Sequence, residues 1–249
     1  AFGPADPSAG WSFSAATRTV SLTGAGPFTL SGANTMGGVC FAVSDNIANT
    51  VTLSNLTLRV SADDQCAFAL GQNANVSLLL AGANALSSGF GRAGIEVLTG
   101  RTLSITNAPG DDAGSLTVTG GEYGAGIGGG NEGHGGTLTI SGGTVAATGG
   151  DGAAGIGGGD GGDGGTVTIH GGTVTATGGQ YGTGIGGGDY GNGGTVTING
   201  GSVTAIGDSH SAGIGGGDEH HGGTVTINGG SVTATSDNYG AGIGGGNTG

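Results

Sequence analysis

In Thr166-Val167-Thr168-Ile169 apolar and polar side chains alternate, a period of two that predicts an extended strand with Val167 and Ile169 on one face. The alternation returns in Thr173-Val174-Thr175-Ala176-Thr177, and both segments recur at a fixed interval. Leu138, Val167, Val196 and Val225 stand 29 residues apart, and so do Val145, Val174, Val203 and Val232. A third apolar position recurs at Ile127, Ile156, Ile185, Ile214 and Ile243, within Ala-Gly-Ile-Gly-Gly-Gly or a near variant. Three short strands per period, with no helical pattern between them, predict one coil of a parallel β-solenoid. Glycine pairs such as Gly171-Gly172 and Gly178-Gly179 supply the corners, where φ turns positive.

The first half carries the same frame less regularly. Phe41, Phe68 and Ile95 take the place of the later isoleucines, at spacings of 27, 27 and then 32 to Ile127. The longer gap holds an extra turn, Asn107-Ala108-Pro109-Gly110-Asp111-Asp112. Eight apolar anchors from Phe41 to Ile243 predict about eight coils, a stack roughly 38 Å long at ~4.8 Å per strand. The expected architecture is all-β, a right-handed parallel β-helix forming a single domain over 1–249. An N-terminal cap spans 1–18 with Trp11, Phe13 and two prolines, followed by irregular coils at 19–114 and regular glycine-rich coils at 115–249.

Composition narrows the function more than it names one. Glycine fills 67 of 249 positions, yet not every third one, which excludes a collagen helix. Helical bundles are excluded too, since glycine costs about 1 kcal/mol per helical position. The net charge is −13, with four arginines (Arg18, Arg59, Arg92, Arg101) and no lysine. Such a chain offers no cationic surface to nucleic acid or to an anionic membrane. No apolar run approaches the ~18 residues of a membrane-spanning helix.

The array Gly-Ala-Gly-Ile-Gly-Gly-Gly … Gly-Gly-Thr-Val-Thr-Ile … Thr-Val-Thr-Ala-Thr resembles the glycine-rich parallel β-helix repeats of secreted bacterial surface proteins, a group often labelled carbohydrate-binding. The likeness covers roughly 115–249 and reaches the earlier coils only in outline. It implies the β-helix fold and a polysaccharide partner. Pectate-lyase-like enzymes share the architecture, and their lyases commonly use basic residues on the helix face. The repeat region here has none.

Periodicity stacks candidate residues into columns. Tyr123, Gly152, Tyr181, His210 and Tyr239 form one, in which exposed rings suit sugar recognition. Tyr190 adds to that surface. Asn131, Asp160, Asp189, Asp218 and Asn247 form another, one strand spacing apart, where adjacent carboxylates repel by about 1 kcal/mol even in water. Calcium at Asp160, Asp189 and Asp218 would relieve that repulsion. Turn preference alone also accounts for these residues, and the nonapeptide calcium signature does not recur. His134, Asp163, Asn192 and His221 make a neighbouring column.

Three other readings compete. A glycosidase needs two acids roughly 5–10 Å apart, and Asp63-Asp64 and Asp111-Asp112 are the clustered candidates, with Arg92, Glu96 and Arg101 in the same stretch as the second pair. Thr137/Thr139, Thr166/Thr168, Thr195/Thr197 and Thr224/Thr226 would form files like those of ice-binding solenoids. A second face, Thr173/Thr175, Thr204 and Thr233/Thr235, is spoiled by Ser202, Ile206 and Ser231. Threonine is, however, simply a good outward strand residue.

Cys40 and Cys66 flank equivalent anchors one coil apart, so a disulfide is expected, offset by one residue and needing a local bulge. A disulfide requires an oxidising compartment, and Ala1-Phe2-Gly3-Pro4 reads like a mature terminus, so a secreted or cell-surface protein is expected. The pattern runs unbroken to Gly249, and further coils, a cap or end-to-end association are expected beyond it. The sequence reading is thus a non-catalytic polysaccharide-binding or surface-display solenoid.

Overall fold

All but one of the strands have only two to seven residues and gain stability by stacking, nearly all on a counterpart one coil away. The computed structural model describes residues 10–34 and 38–249. Its ladders are parallel throughout except where Trp11–Ser14 runs antiparallel to Thr19–Leu22, setting Trp11 and Phe13 against the core at that end. Of the expected N-terminal cap, residues 1–9 lie outside the described part.

Three faces enclose the core. The first carries the anchors in register, Val20↔Phe41↔Phe68↔Ile95↔Ile127 and on through Ile156, Ile185 and Ile214 to Ile243. The eight anchors from Phe41 to Ile243 bound seven full turns, and Val20 adds a rung before them. The second face carries Thr-Val-Thr-Ile segments such as Thr166–Ile169, and the third carries segments such as Thr173–Thr177. The long strand Ala48–Arg59 runs around their common corner, pairing with Asn75–Ala81 before it and with Ala83–Ser87 after it.

Alternation sorts the side chains as the sequence predicts. Val167, Ile169, Val174 and Ala176 are buried, while Thr166 and Thr173 are exposed. The core tapers along the stack. Phe68, Leu53, Leu78 and Leu80 fill the early coils; Ile185, Val196 and Ala205 fill the late ones. Two inward strand positions hold asparagine: Asn49, in register with Val76, donates to Gly24 O at 2.8 Å. Asn84, in register with Leu116, accepts from Leu56 N–H at 2.9 Å and donates to Ser115 O at 3.0 Å, so its burial is satisfied. In the last coil Ile227 and Ile243 are 44% and 45% exposed, because no further rung covers them.

At the isoleucine corner of the regular coils glycine is obligatory. Gly157 has φ +137°, and a Cβ there would lie 1.9 Å from Gly186 O of the next coil. Gly128 and Gly186 repeat this contact with the coils above them. Gly157→Ala should lower stability by several kcal/mol, through left-handed strain and loss of the close backbone approach. Gly110→Ala, at φ +82° with open space around it, should cost only about 1 kcal/mol. Equal melting shifts for the two variants would disprove this account.

The expected disulfide does not form; Cys40 and Cys66 are free and buried. Phe41 pairs with Phe68 without a bulge, so Ala67 rather than Cys66 lies opposite Cys40. The two thiols point to different neighbours. Cys40 Sγ lies 3.6 Å from Gln65 Oε1, whereas Cys66 Sγ donates to Ala93 O at 3.0 Å, toward the next coil. Burial, with help from the Glu96 charge, pushes the Cys66 thiol up to about 12, and burial also raises Cys40. With no bridge, the disulfide argument for an oxidising compartment falls away. A thiol reagent should find almost no reactive sulfur in the native protein and two thiols per chain in denaturant. Zero thiols in denaturant would restore the bridge.

Candidate functional site

The isoleucine of each regular coil sits at the tip of a pinched loop. Ala125 N–H donates to Gly129 O at 2.9 Å across the neck, and Ala154 to Gly158 and Ala212 to Gly216 repeat this. A turn lies on each side of the neck, and the two turns of neighbouring coils touch: Asp160 N–H reaches Tyr123 O at 3.1 Å, and Asn247 N–H reaches His210 O at 2.7 Å. The columns of the two turns therefore lie side by side.

The first turn holds Asp64, Gly91, Tyr123, Gly152, Tyr181, His210 and Tyr239, all with φ between +57° and +74°. Left-handed backbone is uncommon for aromatic residues, yet four occur here. Asp64 N–H donates to Phe90 O, Gly91 N–H to Glu122 O and Tyr123 N–H to Asp151 O. Asp63-Asp64 thus joins the foot of the aromatic column. The other acidic pair lies at a different corner, between the second and third faces. There Asp111 is a turn residue, accepting from Gly82 N–H at 2.7 Å and Ala113 N–H at 3.0 Å.

The rings turn toward one another rather than outward. Tyr181 and His210 stack at 6.0 Å and 24°, and His210 and Tyr239 at 5.2 Å and 12°. His210 is covered on both faces, whereas Tyr181 and Tyr239 each keep one face outside the stack. Tyr123 instead meets Phe90 edge-on at 5.3 Å, and Tyr190 meets His220 at 6.2 Å.

Beside the aromatics runs the aspartate column. Asp189 Oδ1 and Asp218 Oδ1 are buried without a hydrogen-bond partner. Burial, then the Asp160 and Asp218 charges, pushes Asp189 up to about 6, and burial with Asp151 raises Asp160. The carboxylates file along the stack rather than converge; among the described residues no three His, Cys, Asp or Glu side chains gather as a metal group. The next column is satisfied instead. Asp163 N–H donates to His134 Nδ1 at 2.9 Å, and Asp163 Oδ1 accepts from Asn192 N–H and Nδ2.

Two shallow cavities open at the corner between the first and second faces. One, about 420 Å³, is lined by Gln72, Asn73, Arg101 and Glu132; the other, about 450 Å³, by Asp163 and Thr166; Thr99 and His134 line both. Together they make one polar trough. Behind it Glu96, 5% exposed at its side chain, accepts from Arg92 at 2.9 Å and lies 3.5 Å from Arg101. Glu96 occupies the rung that later coils give to Gly128 and Gly157. The trough was not evident in the sequence, although a charged residue at a glycine rung was a readable signal.

The model of the β-helix repeat family matches residues 138–160, 167–189, 196–218 and 225–247. The fold is a parallel β-helix, and its C-terminal half carries β-helix repeats. Each matched segment runs from the second face to the aspartate column. No curated protein and no solved structure matches the chain.

Since the fold raises the pKa of Asp189, the protonated acid is favoured in the native state and ionisation costs stability. The stability is fully present below the ordinary carboxyl value near 3.8 and is lost as pH rises through about 6. The melting midpoint should therefore rise on acidification from pH 7 toward 4.5. Asp189→Asn should raise it at pH 7, by an amount corresponding to about 1 kcal/mol after solvent screening, and flatten the profile. An unchanged pH profile in that variant would remove Asp189 as its source.

Proposed function

We propose that this β-helix is a non-catalytic, secreted or cell-surface module that binds a polysaccharide along its glycine-rich corner. The observation that carries the reading is the polar trough. It crosses successive coils from Gln72 to Thr166 with side chains that donate and accept hydrogen bonds. Coils recur every ~4.8 Å, close to the length of one sugar unit, so a linear glycan lying along the axis would meet a polar side chain at each step. Shallow, open polar surfaces suit binding by many weak contacts rather than closure around a reacting bond.

Hydrolysis has less behind it. Asp63-Asp64 and Asp111-Asp112 belong to different corners, and Asp111 is engaged as a turn residue. A second reading, ice binding, rests on the threonine files, which are in register from Thr137 and Thr139 through Thr224 and Thr226. Threonine also serves those positions as an outward strand residue, so the files alone do not outweigh the trough.

A panel of neutral, acidic and amino polysaccharides tests the proposal. Binding without product release is expected. Gln72→Ala, Thr99→Ala and His134→Ala combined should weaken it at least tenfold while the melting midpoint holds. A panel without any binder, or undiminished binding by the triple variant, would overturn the trough as the site; thermal hysteresis in the first case would move the function to the threonine faces.

A further inference from the structure

The aromatic column has a missing rung. Tyr123 stands one coil below Gly152 and Tyr181 one coil above, so about 9.6 Å separates their levels. Two van der Waals contacts of 3.5–4.0 Å need roughly 7–8 Å, which leaves space for one ring. Tyr181 lies nearly parallel to His210, so its other face opens along the axis onto the Gly152 level. Phe90 meets Tyr123 edge-on at 5.3 Å.

The chemistry around the gap is anionic. A Cβ on Gly152 would lie 2.8 Å from Asp160 Oδ1, so the Asp160 carboxyl leans into the empty rung. Asp151 precedes Gly152 in the same turn, and Glu122 precedes Tyr123. Burial first, and then the nearby Asp151 charge, raises the pKa of Asp160. A positive charge between the tyrosines would be held by these carboxylates and by the ring quadrupoles. A neutral sugar would leave the repulsion in place.

We propose that the Gly152 rung is a slot for one sugar ring bearing a free amine, a glucosamine-type unit held between Tyr123 and Tyr181 with its ammonium on Asp160 and Asp151. The slot rests on the saccharide-binding reading only for its ligand class; its walls are separate from the trough.

The test compares a fully deacetylated glucosamine trimer with its N-acetylated counterpart by calorimetry at low salt. The deacetylated trimer should bind at least tenfold more tightly. Gly152→Tyr fills the rung without changing net charge, and it should erase that preference; the next coil already carries a tyrosine, Tyr181, at the equivalent left-handed position. Tyr181→Ala removes a wall without altering the Gly152 turn and should erase it as well. Asp160→Asn should weaken it several-fold. Equal affinity for the two trimers, or full retention of the preference in both Gly152→Tyr and Tyr181→Ala, would overturn the slot in favour of general adsorption to an acidic chain. Neutral-glycan binding that survives Gly152→Tyr but fails in the Gln72/Thr99/His134 variant upholds the trough independently, whichever way the amine comparison falls.

Discussion

Backbone must lie directly on backbone at the isoleucine corner, and the rest of the molecule follows from that. With Gly157 against Gly186 O and Gly186 against Gly215 O at distances that no Cβ tolerates, successive loops superimpose almost atom on atom. The strands of the other two faces are then held in strict register, Thr166 on Thr195 and Val174 on Val203. A one-residue slip would turn every valine outward, and the glycine contacts block it. The tapering core belongs to the same economy. Aliphatic side chains suffice inside because the backbone ladder supplies most of the order.

Strict superposition has a chemical consequence, since each residue choice becomes a column. Two adjacent columns meet that condition in opposite ways. His134, Asp163 and Asn192 alternate acceptor and donor, and each satisfies the next. Asp160, Asp189 and Asp218 repeat one charge, and two of their buried oxygens stay unpartnered. Departures from local consistency of this kind concentrate where a protein meets something else, and the frustrated column borders the aromatic one.

Periodicity made the fold legible. Twenty-nine-residue spacing and alternating valines located the anchors, the three faces and the outward threonines, and the model of the β-helix repeat matches the same coils. It also showed which residues share a column. It did not show how columns of different turns adjoin, because Asp160 meets Tyr123 one coil and eight residues away, a relation invisible to a period. Ring orientation was hidden for a similar reason: the left-handed backbone at Tyr181 and His210 lays the rings on one another. The cysteines failed on parity. One residue of offset in a strand turns a side chain toward a different neighbour, and the bulge required for a bridge is absent.

The location of the trough has its own cause. Within the regular coils glycine turns of equal length nest without gaps, as Gly159 does on Gly130 and Gly188 on Gly159. Turns of unequal length cannot nest. The short turn through Asn73 and the longer one through Glu132 and His134 meet across Thr99 and Arg101, and the mismatch opens the cavity. Glu96 belongs to this seam. It stands on the last rung before glycine takes over, and its buried carboxylate draws in Arg92 and Arg101, two of only four arginines in the chain. A buried carboxylate left unpaired would be costly, so the arginines are fixed by the seam and not free to roam an acidic surface. The irregularity that ends one coil pattern and begins the other thus makes both the cavity and its anchored cation, whereas a perfectly periodic solenoid would present neither.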